Sequence, residues 1–409
     1  MNISESIFQA FDAIRTNKLR TFLTLLSIAM GVFALIVAGT IITSFEKAVT
    51  KQLEDVGETT FWIQRTPAIQ TGNTWRKYRK RKPITYNEFK ELKKMTTSTN
   101  IISAHSYTFG MTITAGNLST DPDVYLAGAE NNFFITNAID VDYGRIFTEE
   151  DINFNRNVAI IGNDVLVKIF PNVNPIGKEI TIKNQKYTVI GVLKSRGAVL
   201  GQSKDNMVII PLTNFLKYFA SPWEESLTIS VRAKSKEALE ETIDEVIGNL
   251  RVIRNVKPWE ENTFEVETNE TISQQFGSFV NFLSIFGFIS GGFALIAAGV
   301  GIMNIMLVAV KERTREIGIR KAVGAKRRWI LWQFILEAIS LCQVGGVVGI
   351  IFGTLGGYLL GNLIKLPMHF PISWIILSVI VCTILGISFG AYPAYRAANL
   401  DPIEALRYE

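Results

Sequence analysis

Residues 271–310 read TISQQFGSFVNFLSIFGFISGGFALIAAGVGIMNIMLVAV, a stretch with no charged side chain. A bilayer core takes roughly 20 apolar residues as helix, so this one is long enough to cross. Charge is equally absent from 21–45, 338–364 and 366–395. The chain is 48% hydrophobic over 409 residues, with a mean hydropathy of +0.22. It is the clustering of those residues, rather than their total, that makes four transmembrane helices the expectation.

Between the first two windows lies a polar region of ordinary globular composition. It is too long for a loop and has to fold on its own. The expected fold class is therefore an α-helical membrane protein with four transmembrane helices and an α+β extracytoplasmic domain inserted between the first and second. The expected order is a cytoplasmic amphipathic helix at 1–20, spans at 21–45, 276–310, 329–362 and 372–395, and the exported domain at 46–275. That domain would carry an outer subdomain at about 101–220. A cytoplasmic elbow at 311–328, a short outer loop at 363–371 and a cytoplasmic tail at 396–409 complete the order. The first window is too long for a signal-peptide core and ends without a small-residue cleavage site, so it is read as a retained anchor.

Charge sets the orientation. Residues 46–275 hold 28 Lys and Arg against 29 Asp and Glu, nearly neutral. Within 311–337 eight residues are basic: Lys311, Arg313, Arg315, Arg320, Lys321, Lys326, Arg327 and Arg328. Arg15, Lys18 and Arg20 precede the first window. The positive-inside rule then puts both termini and the 311–337 loop in the cytoplasm, and the large domain outside. In residues 3–20, Ile7, Phe8, Phe11 and Ile14 at helical spacing suit a helix lying in the membrane interface.

Several function classes drop out. Cys342 and Cys382, the two cysteines, fall in predicted spans, so the exported domain has no disulfide. His105 and His369 are the two histidines, which leaves no zinc cluster and no histidine-based triad. The string closest to a phosphate-binding loop, Pro175-Ile176-Gly177-Lys178-Glu179, lacks the first glycine and the hydroxyl residue. The chain is read as non-catalytic, with no metal and no cofactor of its own. No window has a charge at its centre, which argues against an ion-coupled carrier. Asn304, the most polar residue deep in the second span, is expected to hydrogen-bond another helix.

In the polar region, FWIQR, VAIIG, EITI, YTVIGVL and NMVIIP read as strands, and TYNEFKELKKM and SKEALEETIDEVIGNLRVI as helices. Ser235 is the expected N-cap of the second helix, with Leu239, Ile243, Val246 and Ile247 on its buried face. The run Trp75-Arg76-Lys77-Tyr78-Arg79-Lys80-Arg81-Lys82 lies on the outer side, where nucleic acid is no partner. It reads as a solvated loop, or as a contact for an acidic partner or anionic lipid.

Two patterns carry function. Gly345, Gly349, Gly353, Gly357 and Gly361 recur every fourth residue in the third window. Along a helix they form one groove for the close approach of another backbone, in the same chain or a different one. Between the second and third windows, Arg315, Glu316, Ile317, Gly318, Ile319, Arg320, Lys321, Ala322, Val323, Gly324 and Ala325 suit a short helix at the membrane surface. Glu316 and Arg320 are spaced for an ion pair, Ile319, Ala322 and Val323 make an apolar patch, and Gly324 suits the left-handed stop. Arg327 and Arg328 follow, before Trp329 and Trp332 at the interface. Topology needs only a few basic residues, so the pattern reads as a docking surface for a cytosolic partner.

Residues Glu316 to Ala325 (EIGIRKAVGA) resemble the intracellular motif of MacB/FtsX-type ABC transporter permeases. So do Asn17 to Thr24 (NKLRTFLT), Tyr392 to Ala398 (YPAYRAA) and Leu400 to Arg407 (LDPIEALR). In the exported region the likeness runs from Gly144-Arg145-Ile146-Phe147-Thr148 through Asn174 to Lys178 and Tyr187 to Leu193. It thus covers nearly the whole chain. The tail has its own physical sense: Asp401 can cap a short helix with Pro402 in its first position.

The resemblance implies a homodimer or a pair of similar permeases, served by a cytosolic ABC ATPase docked on the elbow. ATP and Mg²⁺ would be bound by that partner, since no ATPase region is evident here, in contrast to some relatives. ATPase closure would be transmitted to the exported domains to expel or release a drug, peptide or lipoprotein in the bacterial inner membrane. A periplasmic adaptor and an outer-membrane duct stay open. So does a regulatory role, as in division-type relatives that control a cell-wall hydrolase.

Overall fold

The computed structural model describes residues 18–67, 78, 80–99, 101–199, 202–220, 226–363 and 368–406. The interfacial helix expected before residue 18 and much of the Trp75–Lys82 run lie outside them. The chain forms two units, one of Ala48–Ser278 and one of Met1–Lys47 with Phe279–Glu409.

In chain order, α1 (Lys18–Val56) is followed by β1 (Thr60–Gln64), α2 (Tyr86–Met95), β2 (Ile102–Met111), β3 (Ile113–Ala115), β4 (Leu118–Ser119) and β5 (Val124–Ala129). Then come α3 (Phe133–Thr136), β6 (Val141–Gly144), α4 (Glu149–Asn153), β7 (Val158–Ile161), α5 (Asn163–Ile169), β8 (Glu179–Ile182) and β9 (Gln185–Leu193). Next are β10 (Ala198–Val199), β11 (Gln202–Ser203), β12 (Met207–Pro211), α6 (Leu212–Tyr218), β13 (Thr228–Arg232), α7 (Leu239–Ile253) and β14 (Glu265–Thr268). The helices α8 (Asn269–Glu312), α9 (Thr314–Ala322), α10 (Arg327–Leu363), α11 (Ile372–Ala398) and α12 (Pro402–Leu406) follow.

The α/β unit is built on one mixed sheet. Among the described residues its order is β14-β1-β13-β2-β5-β12-β7-β9-β8-β3-β4, with β6 also on β9. Strand β2 is the bridge: Ile102 to His105 pair with β13, and His105 to Met111 with β5. On one side of that bridge Phe61, Ile63, Phe89, Ile229, Val231, Val246 and Leu250 make one core. On the other, Val124, Ile161, Val189, Val208 and Phe215 make a second, and Phe133, Phe147, Ile160 and Ile209 a third on the opposite face.

Local chemistry explains the elements. Helix α2 starts at a capping box, in which Thr85 Oγ1 accepts from the Glu88 N–H and the Glu88 carboxylate accepts from the Thr85 N–H. Thr148 and Asp151 do the same for α4. The β8–β9 hairpin turns in two residues, Lys183 and Asn184, both with positive φ, as the twist of the strands requires. Helix α7 differs from expectation. Ser235 accepts from the Ala238 N–H at 3.3 Å but closes a turn, and the helix starts only at Leu239. Its inward side is Thr242, Val246 and Leu250, flanked by the half-buried Leu239, Ile243 and Ile247.

Among the described residues four helices are long and apolar enough to cross a membrane, those of α1, α8, α10 and α11. The chain is a multi-pass membrane protein with an α/β domain between its first and second spans. The core of the helical unit runs from Ile28, Val32 and Ile36 of α1 through Leu295, Ile302 and Met306 of α8 to Phe334, Ala338 and Leu341 of α10.

Candidate functional site

The sequence between α8 and α10 folds as a helix with two distinct faces. Helix α8 ends at Glu312, and Arg313 alone separates it from α9. Thr314 caps the gap, its Oγ1 donating to the carbonyls of Val310 and Lys311 at 3.0 and 2.8 Å. The far end is a Schellman stop. The Gly324 N–H donates to the Lys321 carbonyl and the Ala325 N–H to the Arg320 carbonyl, both at 3.0 Å, around a Gly324 φ of 99°.

The inner face of α9 is held on two sides. Ile317 is buried in the helical core, and Gly318 is buried against α12. A Cβ on Gly318 would stand 2.7 Å from the Ala405 Cβ, so only glycine admits this approach. Lys321 Nζ donates to the Leu400 carbonyl at 2.6 Å. Asp401 Oδ1 accepts from the Ile403 N–H at 2.8 Å and so caps α12. Arg320 donates to Gln333 Oε1 at 2.9 Å on α10 and pairs with Glu316 on its own helix. Arg327 lies 5.1 Å over the Tyr395 ring of α11.

A further brace went unread in the sequence. Arg313 pairs with Glu337 of α10, Nη1 to Oε1 at 3.2 Å, with the Glu337 side chain only 2% exposed. An acid so far inside an apolar helix calls for a partner, and the lone glutamate just before the 338–364 window was the available signal.

The outer face is exposed. Arg315, Glu316, Ile319, Ala322, Val323, Gly324, Ala325, Arg327 and Arg328 are exposed, Val323 by 84% and Ile319 by 49%. Of the residues expected at a docking elbow, Ile317 and Gly318 therefore serve as its anchor, with Arg320 and Lys321 half-buried as struts. The rest form an apolar spot rimmed by basic side chains. Such a surface suits a partner that is apolar at the centre and acidic at its edge.

The glycine groove of α10 faces a helix of the same chain. Cβ atoms on Gly345, Gly349, Gly353 and Gly357 would come within 2.9 Å of Ile28, Val32, Ile36 and Thr40 of α1. Gly361 instead abuts the sulfur of Met368. Asn304, expected to bond another helix, is exposed and has no side-chain hydrogen bond to another described residue. That role falls to Gln343, which donates from α10 to Thr383 Oγ1 of α11 at 2.8 Å. The physical reason is position: Asn304 points off the packed side of α8 formed by Ile302, Ile305 and Met306.

Two electrostatic features of the α/β unit are structural. His105 is buried beside Phe133 and Tyr107, and burial pushes its imidazole down to about 3. For Asp151, burial raises the pKa, but hydrogen bonds from Arg145 and Thr148 outweigh it and hold the carboxyl at about 2. No group of three or more metal-ligating side chains occurs among the described residues.

A four-span membrane unit with a braced elbow and an α/β domain between its first two spans defines a permease architecture. Residues 21–248 match the family model of the MacB-like periplasmic core domain, and residues 276–402 that of the FtsX-like permease C-terminal region. The chain belongs to this MacB-like, FtsX-like family of ABC transporter permeases. It is 30% identical to the uncharacterized ABC transporter permease YknZ of Bacillus subtilis (strain 168), over 100% of both chains. It is 32% identical to the macrolide export ATP-binding/permease protein MacB of Bdellovibrio bacteriovorus, over 99% of this chain. There it spans 62% of the relative's length. Among solved structures, the periplasmic region of MacB from Actinobacillus actinomycetemcomitans aligns with 56% of this chain and 97% of its own. The sequence identity is 18% and the TM-score 0.45.

Proposed function

We propose that this chain is the permease subunit of a MacB-type ABC transporter, driven by an ABC ATPase that docks on the outer face of α9. The observation that carries the reading is the two-faced elbow. Its inner side is fixed to α10 by Arg313–Glu337 and Arg320–Gln333, to the segment before α12 by Lys321–Leu400 and to α12 by Gly318 on Ala405, while Ile319, Ala322 and Val323 stay uncovered. A push on α9 is thereby a push on the third span.

ATP and Mg²⁺ would be held by the ATPase, which this chain serves as a non-catalytic lever. Helices α1 and α8 contribute residues to both units, a continuity suited to carrying motion toward the α/β domain. The outcome would be expulsion or release of a substrate on the outer side, with both termini and α9 in the cytoplasm. The 311–328 segment puts eight basic residues in the short connection between two spans, which supports that orientation. Homodimerisation, or pairing with a similar permease, completes the machine. The regulatory alternative, control of an extracytoplasmic partner, fits the same elbow and differs only in what the α/β domain acts on.

Co-purification tests this. Wild type in mild detergent is expected to retain an ABC ATPase, and Ile319→Asp/Val323→Asp to lose it while eluting as a folded species. Retention by the double variant would remove the elbow from the docking role.

A further inference from the structure

A cleft of about 520 Å³ opens among α1, α8 and α11. Helix α8 lies between the other two there, with Gly301 on Thr24 of α1 and Gly299 on Phe389 of α11. The polar side of the cleft is formed by Lys311, Arg396, Asn304 and Thr24, and Leu307 and Val308 supply apolar wall. Lys311 lies in the last turn of α8, just before the elbow, so the cationic mouth sits at the elbow end of the spans.

Neither Lys311 nor Arg396 forms an ion pair with another described residue, so the cleft gathers two cations without an internal counter-charge. Beneath them Asn304 offers both a donor and an acceptor. From Asn304 the same stripe of α8 continues as Val300, Ile296 and Phe293, at helical spacing and all exposed. On α1, Leu23, Leu26 and Met30 are exposed as well. A polar, doubly cationic notch thus opens at the end of a long uncovered apolar track.

We infer that this cleft binds the phosphate headgroup of an anionic membrane glycerolipid. The phosphodiester sits between Lys311 and Arg396, and an acyl chain runs along the Asn304–Phe293 stripe. The apolar track is what selects a lipid over a free phosphate, which would have no use for it. The site needs only the membrane fold and is independent of which partner docks on α9. A lipid seated there would stiffen the junction between α8 and the elbow.

The test is native mass spectrometry of the delipidated full-length protein, titrated with phosphatidylglycerol or phosphatidylcholine. Each basic residue near a lipid surface contributes about 1 kcal/mol, so Lys311→Gln/Arg396→Gln is expected to bind phosphatidylglycerol about thirty-fold more weakly. The charge-matched Lys326→Gln/Arg328→Gln is expected to change it less than about threefold. Phosphatidylcholine should respond little to either, and millimolar inorganic phosphate should not displace the lipid. Equal losses in the two variants, or no loss in the first, overturn the site. Displacement by inorganic phosphate would make it a free-anion site, and loss of a dimer mass in place of a lipid adduct would make it an interface between copies. Either result also refutes a lipid seat.

Discussion

Replacing Arg313 and replacing Glu337 should have unequal consequences, although they remove the same ion pair. The Glu337 side chain is 2% exposed and that of Arg313 24%. In Arg313→Gln the carboxylate stays buried without its cation, a loss of about 3–5 kcal/mol. In Glu337→Gln the amide oxygen still accepts from Arg313, which also reaches solvent, and the cost is about 1–2 kcal/mol. The double variant leaves no buried charge and should fall near the milder single one. The two changes are then non-additive by about 3 kcal/mol or more, as contacting residues can be. Equilibrium unfolding of the four proteins in mixed detergent micelles reads this directly. Equal costs for the two singles, or a double variant at their sum, would refute the brace between the elbow and the third span.

Gly349→Val would set a Cβ 2.7 Å from the Ala29 carbonyl and Val32 Cβ, and should cost about 1–3 kcal/mol by the same unfolding assay. Gly324→Val forces a β-branched residue to a φ of 99°, and should lower stability by about 1–2 kcal/mol, with Gly324→Asn closer to wild type. Because His105 is held near 3 when folded, the unfolded chain binds the extra proton between about pH 6.5 and 3. Stability should fall with falling pH across that window, and His105→Gln should flatten the slope. Asp151 has the opposite charge type but the same sign. With its folded carboxyl at about 2, its contribution is present above about pH 4 and lost as pH falls toward 2, a loss absent from Asp151→Asn.

Much of this fold could be read directly because the bilayer imposes so simple a rule. Four charge-free windows leave no alternative to four spans; Val158–Ile161 reads as a strand because it is apolar on both faces, and Gln185–Leu193 because its β-branched residues alternate between buried and half-buried positions over most of its length. Strand β14, Glu265–Thr268, was unreadable: its side chains are polar because Glu265 pairs with Arg81 at 2.8 Å and Glu267 with Gln64. The elbow was legible as a helix with a glycine stop. Which of its faces was anchored was not, since Leu400, which accepts from Lys321 just before α12, lies 79 residues on. The same holds for Arg313 and Glu337, separated by 24 residues and joined only where the α8–α9 joint meets α10. Asn304 and Gln343 show the limit most plainly, as two amides deep in apolar helices of which only the second hydrogen-bonds a neighbouring helix among the described residues.

The central claim is that the exposed face of α9 is where an ABC ATPase sits. Cys342 and Cys382 are buried, so a single cysteine introduced at Val323 can be addressed selectively after both are changed to alanine. Short-spacer cross-linking in native membranes should then yield one adduct from Val323→Cys, with the mass of this chain plus an ABC ATPase. Its yield should change when ATP is added, while Val167→Cys in the α/β domain gives no such adduct. An unmodified Val323→Cys chain beside a co-purifying ATPase, or an adduct equally strong from Val167→Cys, would contradict it.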